Sequence, residues 1–294
     1  MKNKESASKI YLNYLIALSP LIIYGFYKNG IILYQKEYHN LFKCLTILFI
    51  PLICFFIALI IDYLFTRFNK KNPSRNSFLP LYALIICCTV SPNINLWLLP
   101  VFLIPILVII KCFEKIRIIK FNEIALTRIF LIVSLILISN ISYLNIYEKN
   151  TPQALEFLDI FLGRGYGGIF TTNIFFILIA YLFLSRSLIY KKEIPLYMLI
   201  VYGVLTLLFA CFFGNTLNVW SNIFNSMVFF GAVFIAPEIL SSPYTKKGKI
   251  CYGIILGILT FLTVNFINNY EGVFIAIFIT SLTVKFLDNF FALK

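Results

Sequence analysis

Long apolar runs alternate with short polar connections along the whole chain. Most runs are long enough to cross about 30 Å of hydrocarbon as a helix that rises about 1.5 Å per residue. The apolar residues are continuous within each run, whereas the strands of a membrane β-barrel alternate apolar with polar positions. The pattern therefore predicts an all-α, polytopic membrane protein with about ten transmembrane helices. The predicted spans are residues 10–27, 42–66, 79–90, 96–113, 124–144, 169–186, 194–213, 225–240, 250–268 and 272–292.

The third and eighth predicted spans are short, and they end at similar sequences, Ser91-Pro92 and Ser242-Pro243. Proline disfavours a helical residue directly before it, so each span is predicted to break at its Ser-Pro pair. Breaks at matching positions indicate an internal duplication, and an odd number of crossings per copy inverts the second copy. We therefore predict two inverted five-helix repeats, an organisation that places binding sites between the repeats near the midplane. The alternative is that proline is simply frequent in membrane helices.

Lys and Arg concentrate in alternate connections, beginning with the N-terminal tail. The positive-inside rule therefore places both termini in the cytoplasm. In this orientation residues 147–168 form an extracytoplasmic loop that joins a first repeat, residues 1–146, to a second, residues 169–294. The polar start, MKNKESASK, is not followed by the small-residue cleavage site of a signal peptide, so it is interpreted as a cytoplasmic tail.

The composition supports the membrane class and limits the kinds of partner that the chain is expected to bind. The chain is 61% hydrophobic and 13% charged, which excludes a soluble protein of this length because a soluble fold needs a wet polar exterior. The net charge of +13 is attributed to cytoplasmic loops beside anionic headgroups, so membrane lipid rather than nucleic acid is the predicted partner. The seven cysteines lack the spacing of metal ligands, and His39 is the only histidine, so no metal site is predicted.

Several segments resemble the RnfD/NqrB family of membrane subunits. Residues 229–290 carry a Phe-Gly-Ala run, an acidic residue, Ser-Pro, a basic loop, an Asn-Tyr-Glu-Gly turn and a late Asp in the order of the family's C-terminal region. FNEIALTRIF, at 121–130, is similar to the segment that opens the family's fifth span. LDIFLGRGYGG, at 158–168, is similar to its Phe-Leu-Gly…Gly-Gly turn, and residues 9–27 are similar to its first span.

The resemblance implies a place in a redox complex of the bacterial cytoplasmic membrane. Such complexes move electrons between ferredoxin or NADH and a second acceptor, coupled to Na⁺ or H⁺ transport. Their subunits carry FMN on the outer side, joined through a phosphoester to the Thr of a Ser-Gly-Ala-Thr motif. The corresponding segment here is EKNTPQAL, in which Thr151 aligns with the acceptor and the preceding residues differ. Covalent FMN at Thr151 is one interpretation, and an ordinary Asn-Thr-Pro turn in an outer loop is the other.

Three further groups are predicted cofactor-binding candidates. Arg128, which the resemblance places early in the fifth span, is expected to face a phosphate or flavin, to pair with an acid, or to reach the cytoplasmic headgroups. The glycines of the 158–168 segment, Gly163, Gly167 and Gly168, suit a tight turn in which the backbone approaches a cofactor or another helix.

Glu238 is the last candidate, because it lies beside Pro237 near the end of the short eighth span. A break there would leave freed backbone groups next to a carboxylate, an arrangement that suits a cation or a flavin ring. The alternative is a carboxylate at a helix end that pairs with Lys246 or Lys247.

The predicted function is that of an RnfD-like membrane subunit that holds flavin and relays electrons. The chain has no glycine-rich nucleotide loop after a strand and no nucleophile elbow, so no complete active site and no catalytic residue are predicted in it. NADH or ferredoxin is expected to bind other subunits of the complex. Two alternatives remain, a transporter with the same inverted repeats that moves a small solute such as a flavin, and a structural subunit without flavin of its own.

Overall fold

The computed structural model describes residues 7–68, 78–116, 121–136, 157–213 and 219–292, and every regular element within these ranges is helical. The all-α, multi-pass membrane architecture predicted from the apolar runs is therefore confirmed. The helices are α1 (Ala7–Phe26), α2 (Ile32–Gln35), α3 (Leu41–Phe68), α4 (Leu79–Thr89), α5 (Leu98–Ile116), α6 (Glu123–Ile136), α7 (Phe157–Asp159), α8 (Ile174–Leu184), α9 (Glu193–Phe213), α10 (Val219–Ile223), α11 (Ser226–Phe230), α12 (Lys246–Phe266), α13 (Gly272–Leu282) and α14 (Val284–Ala292), with π-helical turns at Tyr27–Ile31, Ile160–Arg164 and Gly231–Ile235.

Four helical segments are long and apolar enough to cross a membrane by length and composition. A fifth is added if α13 and α14, which meet at a bend of 46°, form one span. Shorter apolar helices occupy other predicted spans, so the total of ten crossings stays a prediction. The four long segments are Ser8–Gln35, Leu41–Arg67, Glu193–Phe212 and Lys246–Phe266.

Internal contacts divide the chain into two compact units. Unit 1 comprises Met1–Arg117, Phe130–Gln153 and Gly168–Phe170, and unit 2 comprises Ile118–Ile129, Ala154–Gly167 and Thr171–Lys294. The inverted relation between residues 1–146 and 169–294, joined by 147–168, stays a prediction.

Unit 1 is built around the buried α4, whose C-terminal end is joined to an extended segment. The helix ends at Thr89, before Ser91-Pro92, because proline restricts the residue that precedes it. The amide of Ile169 then donates to the carbonyl of Val90 at 2.8 Å. The buried Asn29 donates from Nδ2 to the carbonyl of Ile169 at 2.7 Å. These bonds satisfy backbone groups that the end of the helix leaves free.

Close packing of α9 against α12 supports unit 2. Gly253 and Gly257 lie one turn apart on α12, and a Cβ atom at these positions would lie 3.0 Å from the carbonyl oxygen of Ile194 and 2.8 Å from that of Met198. Small residues four apart let two membrane helices approach closely and gain dispersion contacts. This pair also carries α13, which packs against α12.

Candidate functional site

A polar cavity of about 300 Å³ lies within unit 2. Its walls come from three connections that the predicted topology places on the outer side, namely those before α8, before α11 and before α13. The lining side chains are uncharged, and most carry a hydroxyl or amide group. We call this cavity the polar pocket, and its lining residues are Ile160, Gly165, Tyr166, Thr172, Ser221, Asn222, Phe224, Asn225, Ser226, Asn269 and Tyr270.

Asn225 ties two walls of the polar pocket together. Its Oδ1 accepts from the amide of Met227 at 3.0 Å and so caps the N-terminus of α11. Its Nδ2 donates to the backbone carbonyl of Asn269 at 2.7 Å and to the Oδ1 atom of Asn269 at 2.9 Å. One buried amide therefore fixes α11 to the turn before α13.

The glycine-rich segment forms the third wall. Gly163 has a φ of 97°, a left-handed conformation that glycine adopts without steric cost. At Gly167 a Cβ atom would overlap the hydroxyl of Ser226, which itself donates to the carbonyl of Tyr166 at 2.8 Å. Asn173 caps α8 and donates to the carbonyl of Leu162 at 2.9 Å. The segment is thus held against α8 and α11 by side-chain bonds to its carbonyls.

Thr172 presents a buried hydroxyl at the polar pocket. The residue is 3% exposed, and its Oγ1 atom has no hydrogen-bond partner among the described residues. A buried polar group without a partner costs about 1–3 kcal/mol, so such groups in native proteins call for an explanation.

A buried ion pair anchors the turn that carries Asn269 and Tyr270. Arg128 Nη2 lies 2.7 Å from Glu271 Oε1, with side-chain exposures of 1% and 9%, and the guanidinium sits 5.3 Å from the ring centre of Phe274. Of the alternatives considered from the sequence, pairing with an acid is the one that the structure displays. Glu271 directly follows Tyr270, so the pair fixes the edge of the polar pocket.

Asn122 performs a similar anchoring role at the start of α6. Its Oδ1 accepts from the amide of Ala125 at 2.9 Å, which caps the helix. Its backbone amide donates to the hydroxyl of Ser281 at 3.0 Å, and its Nδ2 donates to the carbonyl of Ile235 at 2.9 Å. The N-terminus of α6, which leads to Arg128, is therefore fixed to α13 and to the π-helical turn after α11.

The eighth predicted span breaks after this π-helical turn, where Pro237 lies near its end and Pro243 follows it. Pro237 and Pro243 lack the N–H that would donate to the carbonyls four residues earlier, those of Val233 and Ile239. The hydroxyl of Tyr190 donates to Val233 O at 2.9 Å. Lys191 Nζ donates to Ile239 O at 2.9 Å. Two consecutive side chains thus replace the two missing amides.

Glu238 lies at this break and is 6% exposed. Its Oε2 accepts from the hydroxyl of Ser241, and its backbone carbonyl accepts from the hydroxyl of Ser242. The amide of Glu238 donates to Ile235 O at 3.3 Å, the same carbonyl that Asn122 contacts. The carboxylate is therefore held by the turn that the prolines create, and its role toward a cation or flavin stays a prediction.

None of the five predicted cofactor-binding residues that the structure describes is a lining residue of the polar pocket. Gly163 and Gly167 shape the wall of the polar pocket, and Arg128 fixes its edge through Glu271. Gly168 belongs to unit 1, where it packs on the end of α4. Glu238 is not among the lining residues, and Thr151 lies outside the described residues.

Sequence reasoning missed Thr172, Asn225 and Asn269. Each lies at the end of an apolar run, in TTN, FNS and INNY, where Asn and Thr are common as caps and turn residues. The signal available in the sequence was that Asn and Thr residues cluster at the ends of several apolar runs, all on the same predicted side of the membrane.

His39 lies outside the long helices, in the connection between α2 and α3. It is 4% exposed. Burial, reinforced by the nearby charge of Lys43, lowers the pKa of His39 to about 4. The imidazole is therefore neutral near pH 7 and contributes no positive charge to this side of unit 1.

The sequence matches one family of membrane proteins along its whole length and several relatives over part of it. A model of the NQR2, RnfD, RnfE family matches residues 1–294. A protein of Haemophilus ducreyi is 32% identical over 148 residues, which cover 48% of this chain and 42% of the relative. One of Actinobacillus succinogenes is 35% identical over 109 residues, 35% of this chain and 30% of the relative. One of Haemophilus influenzae is 31% identical over 155 residues, 49% of this chain and 42% of the relative.

Each of the three relatives is named as a subunit of an ion-translocating oxidoreductase complex. The matched segment covers less than half the length of each of them. The family model, by contrast, extends from the first residue of this chain to the last and agrees with the helical membrane architecture. The chain therefore belongs to the NQR2, RnfD, RnfE family.

Proposed function

We propose that this chain is a membrane subunit of an ion-translocating oxidoreductase complex in the bacterial cytoplasmic membrane and that its polar pocket holds the ring system of a flavin. The names of the relatives support the first part. The buried hydroxyl of Thr172 at an uncharged polar cavity carries the second part. Partner subunits would supply the sites for ferredoxin or NADH, and the complex would couple electron transfer to Na⁺ or H⁺ transport.

The residues of the polar pocket fit a flavin ring. The pyrimidine edge of the isoalloxazine has one N–H between two carbonyl oxygens, and the amides of Asn222 and Asn269 offer both donors and acceptors. The rings of Phe224 and Tyr166 offer apolar faces beside these polar groups. A cavity of about 300 Å³ is at the lower end of ligand sites, so it would receive the ring while the phosphate stays outside.

Bound flavin would supply one- and two-electron redox chemistry. The protein's part is to bind, orient and desolvate the ring. Asn225 and Ser226 hold the walls in place, and the Arg128–Glu271 pair fixes the edge that carries Asn269. Thr151, the acceptor that the family resemblance implies, precedes α7 in the chain and would join the phosphate.

Covalent attachment is tested on the chain made in cells that express the flavin transferase. After denaturing electrophoresis, flavin fluorescence should stay with the wild-type band and be lost in Thr151→Ala, because the hydroxyl is the proposed linkage atom. Thr171→Ala, which removes a hydroxyl that donates to Met227 Sδ instead, serves as the matched control and should keep the fluorescence. A wild-type band without fluorescence would remove Thr151 as the attachment site.

The polar pocket is tested separately through Thr172→Val and Thr172→Ser. Valine has the shape of threonine without its hydroxyl, so a flavin that bonds Oγ1 should bind roughly 10-fold more weakly, equivalent to about 1.4 kcal/mol. Serine keeps the hydroxyl and should bind within about 3-fold of the wild type. The affinity is measured by titrating riboflavin with the purified chain and following the quenching of riboflavin fluorescence.

Equal binding by Thr172→Val and the wild type would exclude the polar pocket as the ring site. Absence of both covalent and non-covalent flavin would favour the alternative of a structural subunit. Uptake of free flavin by vesicles containing the chain alone would favour a solute transporter with this fold.

A further inference from the structure

Lys191 is a buried lysine whose ammonium lies among neutral oxygens. Its Nζ is 2.9 Å from Ile239 O, 2.6 Å from Ser242 O and 2.7 Å from Ser242 Oγ, and the residue is 4% exposed. The ring of Tyr244 lies 4.8 Å from the same atom. We call these three oxygens and the ring the oxygen nest.

The oxygen nest has the chemistry of a site for a monovalent cation. Backbone carbonyls at the end of an interrupted helix coordinate Na⁺ in transporters, because the break frees them from amide donors. Here Pro243 removes the donor for Ile239 O, and Ser242 contributes both its carbonyl and its hydroxyl. An ammonium has three donors, and three oxygens meet it. The face of an aromatic ring adds attraction for a cation of any origin.

The position of Lys191 in the chain explains how the ammonium reaches this place. Tyr190 contacts the carbonyl orphaned by Pro237, and the next residue contacts the one orphaned by Pro243. The adjacent Lys192 is exposed, so the two lysines share a sequence context but differ in environment. A lysine is almost never buried without partners, because leaving water costs several kcal/mol. The oxygen nest supplies hydrogen-bond acceptors for this buried charge.

We propose that the broken end of the eighth span is a monovalent-cation site that the chain fills with its own Lys191 ammonium. The oxygen nest takes no alkali ion while this side chain is in place. An ion translocated by the complex therefore does not pass through it. This inference does not depend on the flavin proposal.

The test removes the internal cation and supplies an external one. Full-length Lys191→Ala is purified in detergent, and its apparent melting temperature is measured in choline chloride, NaCl, KCl and ethylammonium chloride. In choline, which is too large for the cavity left by the side chain, the variant should melt about 5–10 °C below the wild type. At about 100 mM, K⁺ or ethylammonium should restore most of this loss by mass action.

The controls separate an ion site from a structural cap. The wild type and Lys192→Ala should respond to the four salts alike, within about 1 °C, since neither opens the oxygen nest. A Lys191→Ala chain that no small cation stabilises beyond these controls would overturn the proposal. So would a wild type that K⁺ or Na⁺ stabilises as strongly as the variant, or a variant that cannot be obtained folded in any of the salts.

Discussion

Arg128→Met is expected to lower the free energy of unfolding by about 3–5 kcal/mol, because it leaves the carboxylate of Glu271 buried without its partner. Methionine keeps an apolar stem in place of the arginine stem, so the loss reports chiefly on the charge, including its contact with the ring of Phe274. Reversible unfolding in mixed detergent micelles measures this loss in the free energy of unfolding. The flavin affinity of the variant should fall as well, since Glu271 holds the turn that carries Asn269 at the edge of the polar pocket.

Arg164→Met provides the matched control. Arg164 pairs with Asp159 at 2.8 Å, but its side chain is 75% exposed, and surface pairs contribute less than about 1 kcal/mol. The double variant Arg128→Met with Glu271→Met should recover part of the loss, because no uncompensated charge remains. If Arg128→Met were no more destabilising than Arg164→Met, the pair would not anchor the turn.

Gly168→Ala is expected to destabilise the chain by about 3 kcal/mol, the upper end of the range for overpacking. The new Cβ atom would lie 2.7 Å from the carbonyl carbon and oxygen of Thr89 and 2.8 Å from Cys88 O. These are backbone atoms, which cannot rotate away as a side chain does. Relief would require the loss of the bonds from Ile169 and Phe170 to Val90 and Cys88. Reversible unfolding in mixed detergent micelles again measures the change in the free energy of unfolding.

Gly203→Ala gives the opposite expectation within α9. A Cβ atom at Gly203 would meet no heavy atom within 4 Å, and alanine favours a helix over glycine by about 0.5–1 kcal/mol. The variant should therefore be as stable as the wild type or slightly more stable. Equal effects of the two substitutions would show that the contact of residue 168 with the end of α4 contributes little.

The class of fold could be predicted from the sequence because a continuous apolar run crosses a membrane as a helix. Backbone groups in lipid must be satisfied within the segment, so such runs form helices. The end of α4 could be predicted from Pro92, which restricts the residue before it, whereas regular helix in the eighth span ends at Ile235, before Pro237 and earlier than the predicted break at Ser242-Pro243. The number of membrane crossings was harder to predict, because the length of short apolar helices such as α4 and α8 does not decide whether they cross the membrane.

The candidate site depended on contacts between residues far apart in the chain. Arg128 and Glu271 are separated by 143 positions, and Asn122 contacts a carbonyl 113 positions away. The sequence allowed three environments for Arg128, and only its ion pair with Glu271, directly before α13, selects one of them. Lys191 illustrates the same limit. By its sequence Lys191 is one of the basic residues of a connection predicted to be cytoplasmic, and in the structure its side chain is buried.

The caps supplied by Tyr190 and Lys191 also bear on how the topology of this chain can be mapped. The connection between α8 and α9 is short and basic, and by its sequence it resembles a tolerant place for a reporter or an epitope tag. Because these two consecutive side chains bond carbonyls beside the break, an insertion next to Tyr190 or Lys191 would displace them from the carbonyls of Val233 and Ile239. Fusions meant to report the orientation of this loop are better placed close to the end of α8 than beside Tyr190 and Lys191.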